Sequence, residues 1–335
     1  VPIALDATYS LGRNLSGVGV YSREILYGLA AAHPEEEFLW AYRSHRFPRS
    51  YRERIPKNAV RRLLVGAPPG DVFHALNQRV DARANRTVCT FHDLFVMTGE
   101  YSSPEFRARF AEQARRAAEQ SDLIIAVSRF TAQQVEDLLK VPATRIRVIA
   151  HGVRIQPAVS IPRENLVLFV GAIQKRKNIA RLVKAFERLP SDWRLALAGS
   201  SEGYGAAEEL RAVEESPRRI SIDVLGYVSQ ADLEKLYARA RIFAFPSLDE
   251  GFGIPILDAM AHGVPVVTSN RSAMPEVAGD AALLVDPENV DAIADGLARA
   301  IAQEADLARR GSERTQQFSW KAAVEQTWSV YDEIR

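Results

Sequence analysis

Short apolar runs recur along the chain with longer amphipathic stretches between them, the pattern of buried strands alternating with helices. In the first half the runs fall at 2–6, 37–42, 87–92, 123–128 and 146–150. A segment with two prolines and neither helical nor strand periodicity follows at 154–163 and reads as a linker. A second series then runs through 166–171, 194–199, 222–226, 242–246 and 264–268. The reading is an α/β chain of two doubly wound, Rossmann-like halves rather than one large sheet. The boundaries expected are 1–160 for the first domain and 161–317 for the second.

One stretch, 246–269, packs several signals together. The run at 242–246 is strand-like, Gly251-Phe252-Gly253 is a flexible loop, Pro255 suits a first helical turn, Gly263 suits a helix stop, and 264–268 is a second buried strand. Strand, helix and strand of these lengths predict a parallel pair with a right-handed crossover, which sets the loop at the carboxyl edge of the sheet where open α/β sheets bind ligands. At the far end, Trp320, Val324, Trp328 and Tyr331 are spaced as one face of a helix over 318–335. That helix is expected either to complete the second half or to pack back on the first.

Composition narrows the class. A chain of 335 residues, 47% hydrophobic, can bury a large core. With 43 basic against 42 acidic residues it does not have the balance of a nucleic-acid binder. Cys89 is the single cysteine, so no intrachain disulfide can form. No run reaches the roughly 18 apolar residues that span a bilayer, and no secretory signal is visible, which predicts a soluble cytoplasmic protein. The segment 43–62 departs from the neutral average, with eight basic residues against Glu53 alone, interleaved with Phe47, Tyr51 and Ile55. It reads either as a solvated arginine-rich surface or as a face that meets anionic lipid at the inner side of a membrane.

Several chemistries lose their usual supports. There is no GxxxxGK[ST] loop, HExxH helix or Asp-x-Asp, the six histidines lack metal-ligand spacing, and no complete GxGxxG occurs. The remaining signals point to an anion. Gly17 and Gly19 follow the first strand and precede a helical stretch at 21–32, so their loop can offer backbone amides and the positive end of a helix dipole, although an ordinary turn would look the same. In Gly171-Ala-Ile-Gln-Lys175-Arg176-Lys177-Asn178 three cations open a helix, where they oppose its dipole. That conflict reads as function, with a pyrophosphate as its natural occupant. Glu250 and Asp258 complete the set, eight positions apart across the loop and into the helix.

The run Glu250-Gly-Phe-Gly-Ile-Pro-Ile-Leu-Asp258-Ala-Met-Ala-His-Gly-Val-Pro-Val-Val resembles the Glu-x7-Glu signature of the retaining nucleotide-sugar glycosyltransferases of family four. The likeness covers nearly the whole chain. Ser16-Gly-Val-Gly-Val-Tyr21 resembles the family's amino-terminal glycine loop, Phe91-His-Asp-Leu94 its active-site histidine segment, and Val127-Ser-Arg-Phe-Thr131 with His151-Gly-Val153 its later first-domain markers. Gly171 to Asn178 resembles the phosphate-binding lysine segment, and Leu225-Gly-Tyr-Val228 the strand edge beside the nucleobase.

The resemblance implies a GT-B fold, two Rossmann-like domains facing a central cleft, with acceptor on the first and nucleotide sugar on the second. It implies a hexosyltransferase that retains anomeric configuration and needs neither cofactor nor metal. Lys177 would hold the donor diphosphate with Arg176 as the second cation, since Ala172 stands where the family has its separate arginine. His92 would contact the transferred sugar and donate to it. Glu250 would hold sugar hydroxyls, supported by amides from Gly251, Phe252, Gly253 and Ile254, while Asp258 would take the ribose diol and Tyr227 and Val228 would border the base. His92, Lys177 and Glu250 are thus the catalytic set.

Within the family, His92-Asp-Leu-Phe95 with Gln174-Lys-Arg-Lys-Asn178 is most similar to bacterial mannosyltransferases of polysaccharide biosynthesis, which implies GDP-mannose as the leading donor, with UDP-glucose, UDP-galactose and a GDP-deoxysugar still open, and a glycan or lipid-linked acceptor. Two other readings stay open: a nucleotide-sugar 2-epimerase of the same fold, and a two-lobed solute-binding protein.

Overall fold

The computed structural model describes residues 2–12, 14–155 and 162–335. The chain divides into two compact units. The first comprises Val1–Thr98, Pro104–Gly152 and Ser319–Arg335, and the second Gly99–Ser103 and Val153–Phe318. Six residues of the linker expected at 154–163 lie outside the described residues.

Among the described residues the first unit carries β1 (Ile3–Asp6), β2 (Phe38–Tyr42), β3 (Ala59–Leu63), β4 (Val72–Ala75), β5 (Arg86–Phe91), β6 (Leu123–Ala126) and β7 (Ile146–Val148). They form one parallel sheet in the order β3-β2-β1-β4-β5-β6-β7. Every residue of β1, β2, β4 and β6 is buried, as a parallel sheet covered on both faces requires. The second unit carries β8 (Glu164–Val170), β9 (Arg194–Ala198), β10 (Ile222–Gly226), β11 (Ala240–Phe245), β12 (Val266–Ser269) and β13 (Ala282–Val285). Their order, also parallel, is β10-β9-β8-β11-β12-β13. Strand order reverses between β1 and β4 in one unit and between β8 and β11 in the other, and such reversals are where ligand crevices open.

Three strands were not anticipated. β3 reads AVRRL and lies at the sheet's edge with Val60, Arg62 and Leu63 exposed, so it has no apolar run. β4 carries a histidine at its centre, and β13 has only four residues.

Five helices bear on the functional residues: α1 (Gly17–Ala32), α2 (Pro104–Gln120), α3 (Ile179–Phe186), α4 (Ile254–Ala261) and α5 (Trp320–Asp332). Ser16 caps α1 by accepting from Gly19 N, and Ser319 caps α5 by accepting from Ala322 N, each satisfying one of the orphan amides of a first turn. α5 packs on α1 within the first unit, with Val324 against Gly28 so closely that a Cβ on Gly28 would lie 2.4 Å from a valine methyl. Trp328 stacks on His33 with ring centroids 3.5 Å apart. Among the described residues no helix is long and apolar enough to cross a membrane.

Candidate functional site

β8 ends at Val170 and its chain turns through Gly171, which lies under Gly199. A Cβ on Gly199 would stand 2.0 Å from the Gly171 carbonyl oxygen, so no other residue fits there. The following loop is pinned by Ile173 N donating to Ser200 O at 2.8 Å and Lys175 N donating to Tyr204 O at 2.8 Å. Lys175–Lys177 then form a 3-10 turn, and Asn178 takes the left-handed conformation at φ 61°, which asparagine tolerates better than most residues. Its side-chain amide donates to Pro246 O and Pro287 O at 3.0 and 2.6 Å, so the loops after two other strands hold it in place. The three cations therefore precede α3 rather than opening it, which corrects the sequence expectation.

The segment after β11 meets this turn. Leu248 N donates to Arg176 O at 2.7 Å, and the Arg176 guanidinium donates to Asp249 O at 2.9 Å. Arg176 lies 2.6 Å from Glu250 Oε1, and the Lys177 ammonium bonds the same oxygen. Lys177 Nζ also stands 4.5 Å from the centre of the Phe245 ring, a cation over an aromatic face. All three charged side chains are about nine-tenths buried, at 11%, 8% and 11% exposure for Arg176, Lys177 and Glu250. Burial alone would raise the Glu250 carboxyl, but the two cations outweigh it and hold the group down at about 2. The anion that resolves the electrostatic conflict in this structure is thus a carboxylate of the chain itself. Such a cluster can exchange its carboxylate for another anion, because both cations converge on a single oxygen of Glu250.

Beyond Glu250 the chain passes Gly251 and the buried Phe252, whose ring meets Phe318 edge-on at 5.9 Å. Gly253 caps α4 at φ 104°, a conformation that favours glycine. Ile254 and Pro255 open the helix. Asp258 lies one turn in and is partly buried; burial pushes its carboxyl up to about 7, against a smaller opposing pull from Arg154. It is therefore only half ionised near neutrality. Tyr227 and Val228 follow β10 at the sheet's edge, with Tyr227 exposed.

Gly17, Gly19 and His92 lie on the first unit. The glycines are not a loop before the helix, since α1 begins at Gly17 and the Gly19 amide is committed to the Ser16 hydroxyl at 3.4 Å. His92 directly follows β5, and its Nε2 is 2.9 Å from Leu76 O. A carbonyl can only accept, so Nε2 carries the proton. Burial lowers this imidazole to about 4, partly offset by that bond, and the neutral ring has only an acceptor left at Nδ1. In this tautomer His92 has no side-chain donor left to give a sugar hydroxyl, contrary to the sequence expectation.

Structure adds residues the sequence did not single out. Tyr331 of α5 bonds His74 Nδ1 at 2.6 Å, His74 Nε2 meets Thr90 Oγ1 at 2.8 Å, and Thr90 meets Tyr21 at 2.9 Å. The Tyr21 ring packs edge-on against His92 at 4.7 Å, so a buried polar chain runs from the last helix to the candidate histidine. Arg43 leaves the basic face: it is buried and pairs with Asp6 at 3.4 Å and with Asp81. Arg61 donates to Ser50 O at 3.2 Å and to Glu53 O, with its guanidinium 5.2 Å from the Tyr51 ring. Phe47 and Ile55 pack against the core. The exposed remainder is Arg49, Arg52, Arg54, Lys57 and Arg62, beside exposed Tyr51, Leu63 and Val65.

Comparison with known proteins bears on what this arrangement is for. Residues 154–318 match the family model described as glycosyl transferases group 1, and residues 15–156 match that of glycosyltransferase family 4. The chain is 35% identical over 280 residues to the O-antigen chain mannosyltransferase B of Escherichia coli, covering 78% of this chain and 74% of that one. Among solved structures, sucrose-phosphate synthase from Thermosynechococcus elongatus is similar with a TM-score of 0.81 and 22% identity, over 99% of this chain and 98% of that one. HepE of Anabaena, solved in complex with UDP-glucose, is similar with a TM-score of 0.76 and 18% identity, over 99% of each chain. These structural likenesses give the fold, which is GT-B.

Proposed function

The chain belongs to the group 1 glycosyltransferases of family four, and from that premise we propose that it transfers mannose, with retention of anomeric configuration, from GDP-mannose to a glycan or lipid-linked acceptor. One observation carries the donor half of the reading: two buried cations converge on one carboxylate oxygen at the strand-order reversal of the second unit. A nucleoside diphosphate entering there would take over Lys177 and Arg176 and release Glu250 toward the hydroxyls of the sugar. As the sugar departs, charge builds on the diphosphate, and cations already in place stabilise it without reorganising. That diphosphate can accept the acceptor's proton, so no covalent nucleophile is required, and the cation pair supplies the charge that a divalent metal would otherwise provide.

Mannose and a polysaccharide acceptor are supported by the likeness to the O-antigen chain mannosyltransferase. The exposed arginines and lysine of 49–62, with Tyr51, Leu63 and Val65 beside them, support peripheral contact with the anionic inner face of a membrane. The test is incubation with a panel of nucleotide sugars and mannose-terminated acceptors in EDTA, reading released nucleotide and the anomeric configuration of the product by NMR. Acceptor-dependent GDP release with an α-linked product is expected. Isomerised donor without transfer would replace this reading with epimerisation, and inversion would remove the mechanism.

A further inference from the structure

The carboxyl edge of the first unit carries a feature separate from the charged cluster. β4 stands at the reversal of strand order and leads into residues 76–81. That segment is tied down along its length. Leu76 O accepts from His92, Gln78 O from Gln113 at 3.5 Å, Arg79 O from Arg43 at 3.4 Å and Asp81 O from Arg116 of α2 at 2.9 Å. The Asp81 carboxylate is bridged by Arg43 and by Arg79 at 3.1 Å. Asn77 is the exception. It is 5% exposed, and among the described residues neither its Oδ1 nor its Nδ2 has a hydrogen-bond partner. Oε1 of Gln78 is likewise buried and without one.

Burying an amide with both ends unpaired is unfavourable, and a segment this firmly held cannot turn the side chain out to water without breaking its ties. The side chain therefore points to a ligand held against a preformed edge. The chemistry of that ligand is set by the groups around it. The nearby cation Arg43 is answered by Asp6 and Asp81, so no net positive charge is kept for a phosphate. A carboxamide offers one acceptor and two donors in a plane, which suits adjacent hydroxyls. His92 Nδ1, an acceptor one residue removed from Asn77 through the Leu76 carbonyl, adds to the same neutral hydroxyl-reading edge.

We propose that Asn77, with Gln78 beside it, is a subsite that reads vicinal hydroxyls of a saccharide; the assignment to a transferase substrate rests on the function proposed above. Two sources share this chemistry, the acceptor sugar and the transferred sugar. Asn77→Leu keeps the shape and removes the hydrogen bonds. With GDP-mannose as donor and octyl α-mannoside as acceptor, kcat/KM for the acceptor should fall at least tenfold while the melting temperature holds or rises. Acceptor-free hydrolysis of GDP-mannose within twofold of wild type assigns the subsite to the acceptor, and an equal loss there assigns it to the transferred sugar. Wild-type kcat/KM in both assays overturns the proposal, as does a fall in melting temperature that accounts for the lost activity. If the wild-type chain turns over no nucleotide sugar, the transferase reading fails first. Saturation-transfer NMR with methyl α-mannoside then judges Asn77 alone, where a signal equal in wild type and Asn77→Leu would refute the subsite.

Discussion

The two strand-order reversals occupy equivalent places in two similar sheets, yet their chemistry is opposite. At the β8/β11 reversal of the second unit, Lys177, Arg176 and Glu250 are buried together and all are charged. At the β1/β4 reversal of the first unit several buried polar groups are neutral: Asn77, a His92 whose imidazole burial keeps uncharged, and a His74 lowered to about 3 by the same cause. The charges that do occur there, Arg43 with Asp6 and Asp81, answer one another. One fold can thus set one edge with buried charges sharing a single carboxylate and another with buried neutral amide and imidazole groups. On the proposals above, the charged edge should set the rate of the chemical step, and the neutral edge should set how a saccharide is held without titrating between pH 5 and 9.

The sharpest break comes at Lys177. Its Nζ is held by Glu250 and the Phe245 face, and alanine removes one of the two cations proposed to meet a departing diphosphate. Lys177→Ala should lower kcat by a factor of 100 to 1,000, about 3 kcal/mol of transition-state stabilisation. Steady-state kinetics at saturating donor checks it. A kcat within threefold of wild type would mean that the cation pair has a structural rather than an electrostatic task.

How much of this contrast was legible before the fold was known depends on how local each signal is. The second unit's edge was readable because Gly171 to Asn178 and Glu250 to Asp258 are continuous runs of turn residues and charges. Even there the contact of both cations with Glu250 was not legible, because Glu250 lies 73 positions from Lys177 and only the pairing of β8 with β11 brings them together. The first unit's edge was nearly silent. Asn77 follows a four-residue strand with a histidine in it, and nothing local separates a ligand-reading asparagine from one in a turn. Arg43 looked like the start of a basic surface, since its partner Asp6 is 37 positions away across β1 and β2. β3 was hidden because an edge strand can be arginine-rich, and the start of α1 because glycines in a first turn read as loop.

A pH experiment sharpens the comparison at Asp258. Its carboxyl is raised from 3.8 to about 7 by burial. Below about pH 4 it is protonated whether the chain is folded or not, and it contributes nothing. As pH rises from 4 toward 7 the unfolded chain ionises while the folded one does not, so stability falls, and above 7 the penalty is constant. Asp258→Asn removes that dependence. The variant should match wild type at pH 4 and melt a few degrees higher at pH 8, on the order of 2 kcal/mol once solvent around a partly exposed carboxyl is allowed for. Equal melting temperatures at pH 8 would place Asp258 in an environment as polar as water.

The smallest effect expected belongs to the neutral edge and tests the other half of the contrast. Tyr331 on α5 supplies one end of the chain that continues through His74, Thr90 and Tyr21 to the ring of His92. Tyr331→Phe deletes one hydroxyl and leaves His74 Nδ1 unpaired in a buried place, at a cost of about 1 kcal/mol. No charge is lost, and His74 at about 3 does not titrate between pH 5 and 9, so the loss of stability should be the same across that range. Donor affinity should be unchanged, because the cations proposed to bind the diphosphate belong to the other unit. Thermal melts at three pH values, with a GDP titration beside them, decide the matter. A cost that grows toward low pH would mean that the His74 chain carries a proton, and the division into a charged edge and a neutral one would then fail.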